Sequence, residues 1–166
     1  MPDIASLEGY IGETYSALLQ LSCLIGGAER STQLADACGH AGMAIGLAKI
    51  LNSQAYHRDT QRVFIPLEAL EKHGFTRETW LAQDVSDKHL DVISHMHELT
   101  QEHLVKANAA IRTLPKNLHT HFLSVGPLKQ QLRKISNAQK VIFERPLSVS
   151  PLSLQMSYLK TSILGI

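Results

Sequence analysis

Apolar residues recur every three or four positions through most of the chain, a spacing that predicts helices throughout. Over residues 4–25, Leu7, Ile11, Leu18, Leu21 and Ile25 share one helical face. Asp3 or Ser6 can cap the start, and Gly26-Gly27 ends the helix. Gly9 and Gly12 inside it cost about 1 kcal/mol each in propensity, which predicts a neighbouring helix in close approach there. A second helix is predicted from Ser31 or Thr32 to about Leu51, with Leu34, Cys38, Ala41, Ile45, Ala48 and Leu51 inward. Gly39, Gly42, Ala44 and Gly46 keep another of its faces narrow, as suits a helix packed on several sides. Residues 52–65 read as a polar crossing. Pro66 restarts a short helix ending at His73-Gly74, and Thr76 caps another turn or two carrying Trp80 and Leu81.

A long helix follows from about Ser86 to Leu114, where Ile93, Met96, Thr100, Leu104, Ala107, Ile111 and Leu114 keep the spacing and Pro115 closes it. Residues 117–125 are helical in pattern, Gly126-Pro127 breaks or kinks them, and residues 128–135 continue. Phe143-Glu144-Arg145-Pro146 makes a turn, and Pro151 opens a last helix bearing Leu152, Gln155, Leu159 and Ile163. The sequence carries no period-two stretch of useful length and no internal repeat. The expected fold class is therefore all-α, as a single domain over residues 1–166.

Composition narrows the function classes. A chain of 166 residues can bury roughly 70% of its unfolded surface. Its 44% hydrophobic and 19% charged content is that of a globular protein. A formal net charge of +1 with no basic stripe argues against a nucleic-acid partner. Arg58, Arg62, Lys129, Arg133, Lys134 and Lys140 give modest local positive charge, better read as a solvated helix face than as a phosphate site. Cys23 and Cys38, the only cysteines, read as small core residues of a reducing compartment. The start, MPDIASLEGY, has no basic or apolar region of a secretory signal. No run reaches ~18 uninterrupted apolar residues, so membrane contact is expected to be peripheral at most.

Several constellations that could carry chemistry do not. Asp87 and Asp91 have Asp-x-x-x-Asp spacing, but they are better explained as acids in the first turns of a helix, where its dipole favours them. The nine histidines include no i,i+4 pair, and His95/His97 and His119/His121 point to different faces, so they are expected on helix surfaces. The sequence contains neither a Gly-x-Ser-x-Gly elbow nor a phosphate-cradling glycine loop.

The stretch from Gly42 to Leu70 has a more specific order. A small-residue helix leads into a crossing with Ala55-Tyr56-His57, then Arg62-Val63-Phe64-Ile65-Pro66-Leu67 and a short helix. It resembles the squalene and phytoene synthase family, in the segment with that family's second aspartate-rich motif. Leu7-x-x-Tyr10-x-x-x-Thr14, Asp91-Val92-Ile93 with His103-Leu104, and Phe143-x-x-Pro146 resemble further family segments in the right order. In the synthases an Asp-x-x-x-Asp pair holds Mg²⁺ against a prenyl diphosphate. Counting back from Pro66 without gaps, those two positions fall on Ser53 and His57. Mg²⁺ wants several hard oxygen ligands, and a serine with an imidazole does not replace two carboxylates.

The Tyr56-His57 pair resembles a divergent branch of the family, that of a mitochondrial complex I assembly factor and its alphaproteobacterial relatives. The resemblance implies an isoprenoid-synthase-like helical bundle lacking its N-terminal helices, with no catalytic residue, no metal ligand and no cofactor. It implies a role in respiratory complex I assembly through protein contacts, in a bacterial cytoplasm or mitochondrial matrix, peripheral to a membrane. The expected partner is a protein or a separately encoded N-terminal half, with a homo-oligomer as the other way to cover an open apolar face. The alternative is a prenyl transferase of isoprenoid biosynthesis present as a fragment. It would need Mg²⁺ and a prenyl diphosphate, with Arg62 as the best diphosphate contact, then Lys49 and Arg58.

Overall fold

A computed structural model describes residues 1–82 and 84–164, and every regular element among them is helical. The chain runs through α1 (Ile4–Ile11), a π-helical turn (Gly12–Ser16) and α2 (Ala17–Ile25) as one rod, then α3 (Thr32–Asn52) and α4 (Gln54–Asp59). After α4 come α5 (Leu67–Glu71), α6 (Arg77–Ala82) and α7 (Asp87–Arg112). A 3₁₀ segment (Lys116–Val125) leads to α8 (Leu128–Ala138), a second 3₁₀ segment (Gln139–Phe143) and α9 (Pro151–Leu164). Residues 165–166 of the expected domain lie outside the described residues. The all-α expectation is met, and the predicted starts and stops are largely those observed. Asp3 caps α1 by accepting the Ser6 N–H at 2.7 Å, and Ser31 caps α3 by accepting the Leu34 N–H at 3.2 Å.

The centre of the bundle is α3 packed along α7, with α1, the π turn, α2 and α8 around α3. Leu34, Cys38, Ala41, Ala48 and Leu51 are buried as predicted, and so are Ala37, Met43, Ala44, Leu47 and Ile50 on the other sides. Among the described residues this helix alone is long and apolar enough, by length and composition, to cross a membrane, and most of its apolar stretch is enclosed by the protein. On α7 every predicted inward residue from Ile93 to Ile111 is buried.

Three expectations fail for physical reasons. The first helix is continuous in outline, but its π turn adds a residue, and each residue rotates a helix by about 100°. Leu7 and Ile11 are fully buried before the turn. After it Cys23 faces in, while Leu18, Leu21 and Ile25 are 66%, 53% and 80% exposed. Close approach does not occur at Gly9 or Gly12, where an added Cβ would meet nothing. It occurs on the partner helix, where the Ser16 backbone rests on Gly42 and the Ile11 side chain on Gly46. The polar crossing over residues 52–65 contains a helix, α4, because Gln54, Ala55 and His57 are buried against the bundle.

The histidines also depart from the surface expectation. His89 is fully buried among Phe75, Trp80 and Phe143, with ring centroids 4.4, 4.8 and 5.8 Å away. Its Nδ1 accepts the Ser86 N–H at 3.2 Å and thereby caps α7. His57 is nearly as deeply buried. Cys23 and Cys38 are buried free thiols, as expected. Burial pushes both thiols up, Cys38 to about 12.

Candidate functional site

Ser53 and His57, the positions that an ungapped count from Pro66 assigns to the synthases' aspartates, sit where α3 passes into α4. Ser53 caps the end of α3, its N–H donating to the Ile50 carbonyl at 3.2 Å. The His57 N–H donates to the Ser53 carbonyl at 2.9 Å, so the two residues stand one helical turn apart. Beside them Gln54 Nε2 donates to the Ile50 carbonyl at 2.8 Å, which satisfies a buried amide and stiffens the junction.

The two side chains do not form one site. Ser53 lines an open groove of about 490 Å³ between α3, the start of α8 and α9, together with Lys49, Asn52 and Tyr158. His57 turns into the protein, its ring 4.7 Å from Phe64, and its Nδ1 is buried without a partner among the described residues. Burial, and then the Arg62 guanidinium, lower the His57 pKa, so the imidazole is held neutral. Tyr56 is exposed to solvent, its ring centroid 6.3 Å from that of His57.

The three cations singled out from the sequence are likewise not brought together. Lys49 borders the groove, with Nζ 6.0 Å from the Tyr15 ring centroid. Arg58 donates to the Trp80 carbonyl at 3.2 Å and lies 5.8 Å from the Phe143 ring centroid, tying α4 to the aromatic cluster. Arg62 is exposed, and its backbone N–H closes the crossing by donating to the His57 carbonyl at 2.8 Å. Gln61 just before it takes a φ of 54°, the left-handed turn that redirects the chain.

Val63 to Leu67 is a packing element. Ile65 is fully buried, Val63, Phe64 and Leu67 lie against the core, and the Leu67 and Glu68 N–H groups donate to the Met1 and Pro2 carbonyls at 3.0 and 3.1 Å. Asn52 was not legible as a functional position, yet it clasps the late turn. Its Nδ2 donates to the Leu147 carbonyl at 3.2 Å, and its Oδ1 accepts the Leu147 N–H at 2.9 Å.

The fit to Mg²⁺ can be judged from the donors present. Ser53 offers one neutral hydroxyl and His57 a buried neutral imidazole, while Mg²⁺ asks for several hard anionic oxygens in an octahedral array. Among the described residues no three His, Cys, Asp or Glu side chains gather to hold a metal. Asp87 and Asp91 begin α7, with Asp87 3.6 Å from Lys140 in an exposed ion pair. The metal of the synthases does not fit this site.

Comparison with known proteins gives a consistent answer. The family model of squalene/phytoene synthase matches residues 1–153. A Bos taurus protein named NADH dehydrogenase (ubiquinone) complex I, assembly factor 6, is 30% identical over 156 residues, which cover 92% of this chain and 46% of that protein. The Homo sapiens protein of the same name is 30% identical over 145 residues, covering 87% and 43%. A Dictyostelium discoideum homolog is 27% identical over 145 residues, covering 87% and 41%. The chain thus spans somewhat less than half the length of the curated relatives it matches.

Proposed function

The chain belongs to the squalene/phytoene synthase family, and from that premise we propose that it is a non-catalytic member acting through protein contacts in the assembly of respiratory complex I. The reading is carried by the pair Ser53 and His57, a hydroxyl and a buried neutral imidazole at the positions that the count from Pro66 assigns to the synthases' two Mg²⁺-binding carboxylates. Head-to-head prenyl coupling must stabilise a departing diphosphate, and the known means is Mg²⁺ clamped between carboxylates. A frame kept for packing, with that donor set exchanged, supports a scaffold role. The names of the matched relatives supply the process. The place of action is the membrane surface where complex I is built, in a mitochondrial matrix or a bacterial cytoplasm, and the partner is a protein of that assembly.

The test is turnover. Purified protein with farnesyl or geranylgeranyl diphosphate and Mg²⁺ is expected to release no diphosphate above background. Mg²⁺-dependent turnover would overturn the proposal and restore the prenyl-transferase alternative. A thermal-shift series with the same diphosphates asks separately whether one is still bound. Stabilisation by RT ln(1 + [L]/Kd) registers binding without catalysis, and Arg62→Ala, then Lys49→Ala, would locate the phosphate contact.

A further inference from the structure

We propose that α9 and the basic groove beside it form a docking surface for an anionic phospholipid membrane. The helix packs on the bundle through its small hydroxyl side chains. Ser153 Oγ donates to Gln130 Oε1 at 2.9 Å, and buried Thr161 sits so close to Gly126 that a Cβ there would overlap its Oγ1. Leu154 and Tyr158 line the groove beside Ser53, and four other apolar side chains are left outside. Leu152, Met156, Leu159 and Ile163 follow i, i+4, i+7, i+11, which places them in one row about 17 Å long, and they are 70%, 47%, 52% and 70% exposed.

The charge beside this row decides what covers it. A groove of about 640 Å³ between α7, α8 and α9 is lined by Lys129, Arg133 and Lys160, with His97 at its side and no carboxylate in its lining. Met156 belongs to both the groove wall and the apolar row, so the two features are contiguous. Lys160 is the one charged residue of α9, which contains no Asp or Glu. Apolar side chains that enter a bilayer edge, with Lys and Arg at the level of the phosphates, are the arrangement of an interfacial helix. A partner helix would be registered by charges of both signs along the row, and the charged residues of the adjoining groove are all cations.

This inference rests on the membrane-surface placement proposed above. It is tested on purified protein and lipid alone, where the outcome of a turnover or complex I assay has no influence. The protein should co-sediment with vesicles of phosphatidylcholine mixed with phosphatidylglycerol and much less with phosphatidylcholine alone. Lys129→Glu, Arg133→Glu and Lys160→Glu together should weaken binding by on the order of a hundredfold, with an unchanged melting temperature. In Leu159→Trp, emission should shift to the blue on the mixed vesicles, since the native Trp80 is buried and constant. Absence of binding to the mixed vesicles, or binding indifferent to the triple charge reversal, overturns the proposal. So does a dimer by sedimentation that Leu159→Asp dissociates, because a second copy would then occupy the row.

Discussion

The contact between the first helix and α3 can be tested at a single atom. A Cβ at Gly42 would stand 2.5 Å from the Ser16 backbone nitrogen and 2.7 Å from its Cα, in the π turn. No rotamer change relieves overlap with backbone, so the two helices must separate. Overpacking of this kind costs about 1–3 kcal/mol. Separation also strains the hydrogen bond from Ser16 Oγ to the Gly39 carbonyl, 3.2 Å long, for about 1 kcal/mol more. Against this, alanine gains about 1 kcal/mol of helix propensity over glycine. The expected net for Gly42→Ala is a loss of about 2 kcal/mol, or a drop of ~4–8 °C in Tm.

Gly39→Ala is the matched control. It lies one turn earlier in the same helix, and its added Cβ meets nothing within 4 Å, so it should raise stability by up to about 1 kcal/mol. Urea unfolding of both variants followed by far-UV circular dichroism measures the two signs. If Gly42→Ala is no less stable than Gly39→Ala, the close approach of the π turn to α3 is not a property of the folded protein.

Acid should weaken the fold. His57, His89, His95 and His103 are all held below the ordinary 6.5, in each case chiefly by burial. As pH falls, the unfolded chain takes up these protons first, so stability is full above about pH 6.5 and is lost below it. The urea midpoint measured from about pH 8 to about pH 5 should fall through that window, and a flat midpoint would contradict the buried neutral imidazoles. Asn52→Ala removes both bonds to Leu147 and should cost about 1–2 kcal/mol. Limited proteolysis should then cut more readily over residues 144–150, and an unaltered digestion pattern would mean that Asn52 does not hold the turn.

Much of this fold was readable from spacing because helix signals are local. Caps at Asp3 and Ser31, stops at Gly27 and Gly74 with φ of 88° and 80°, and the 3/4 pattern of α7 each depend on residues within a turn or two. What stayed illegible was tertiary. Leu18, Leu21 and Ile25 keep the phase of Leu7 and Ile11 in sequence, and nothing local announces the π turn that takes them out of the core. His89 looks like any helix histidine until Phe75, Trp80 and Phe143 arrive from other elements around it. At the candidate site the Pro66 frame singled out Ser53 and His57 from the sequence. That one side chain would line a groove and the other be buried on Phe64 was not visible there. The cations of α8 read as a plain solvated face, since the row on α9 that gives them a neighbour is distant in sequence.

The π turn has a genetic consequence as well. In the interior of a plain α-helix, loss of one codon swings everything after it by about 100°. Between Gly12 and Ser16 it would remove the residue that the π turn adds and leave a plain α-helix of unchanged phase. Cys23 would still face in, and Leu18, Leu21 and Ile25 out. Two family members differing by that single gap would share the packing of Leu7 and Ile11 and present the same face of α2 to whatever they meet. At this point of the chain, a one-residue deletion is a milder mutation than in the interior of α3 or α7.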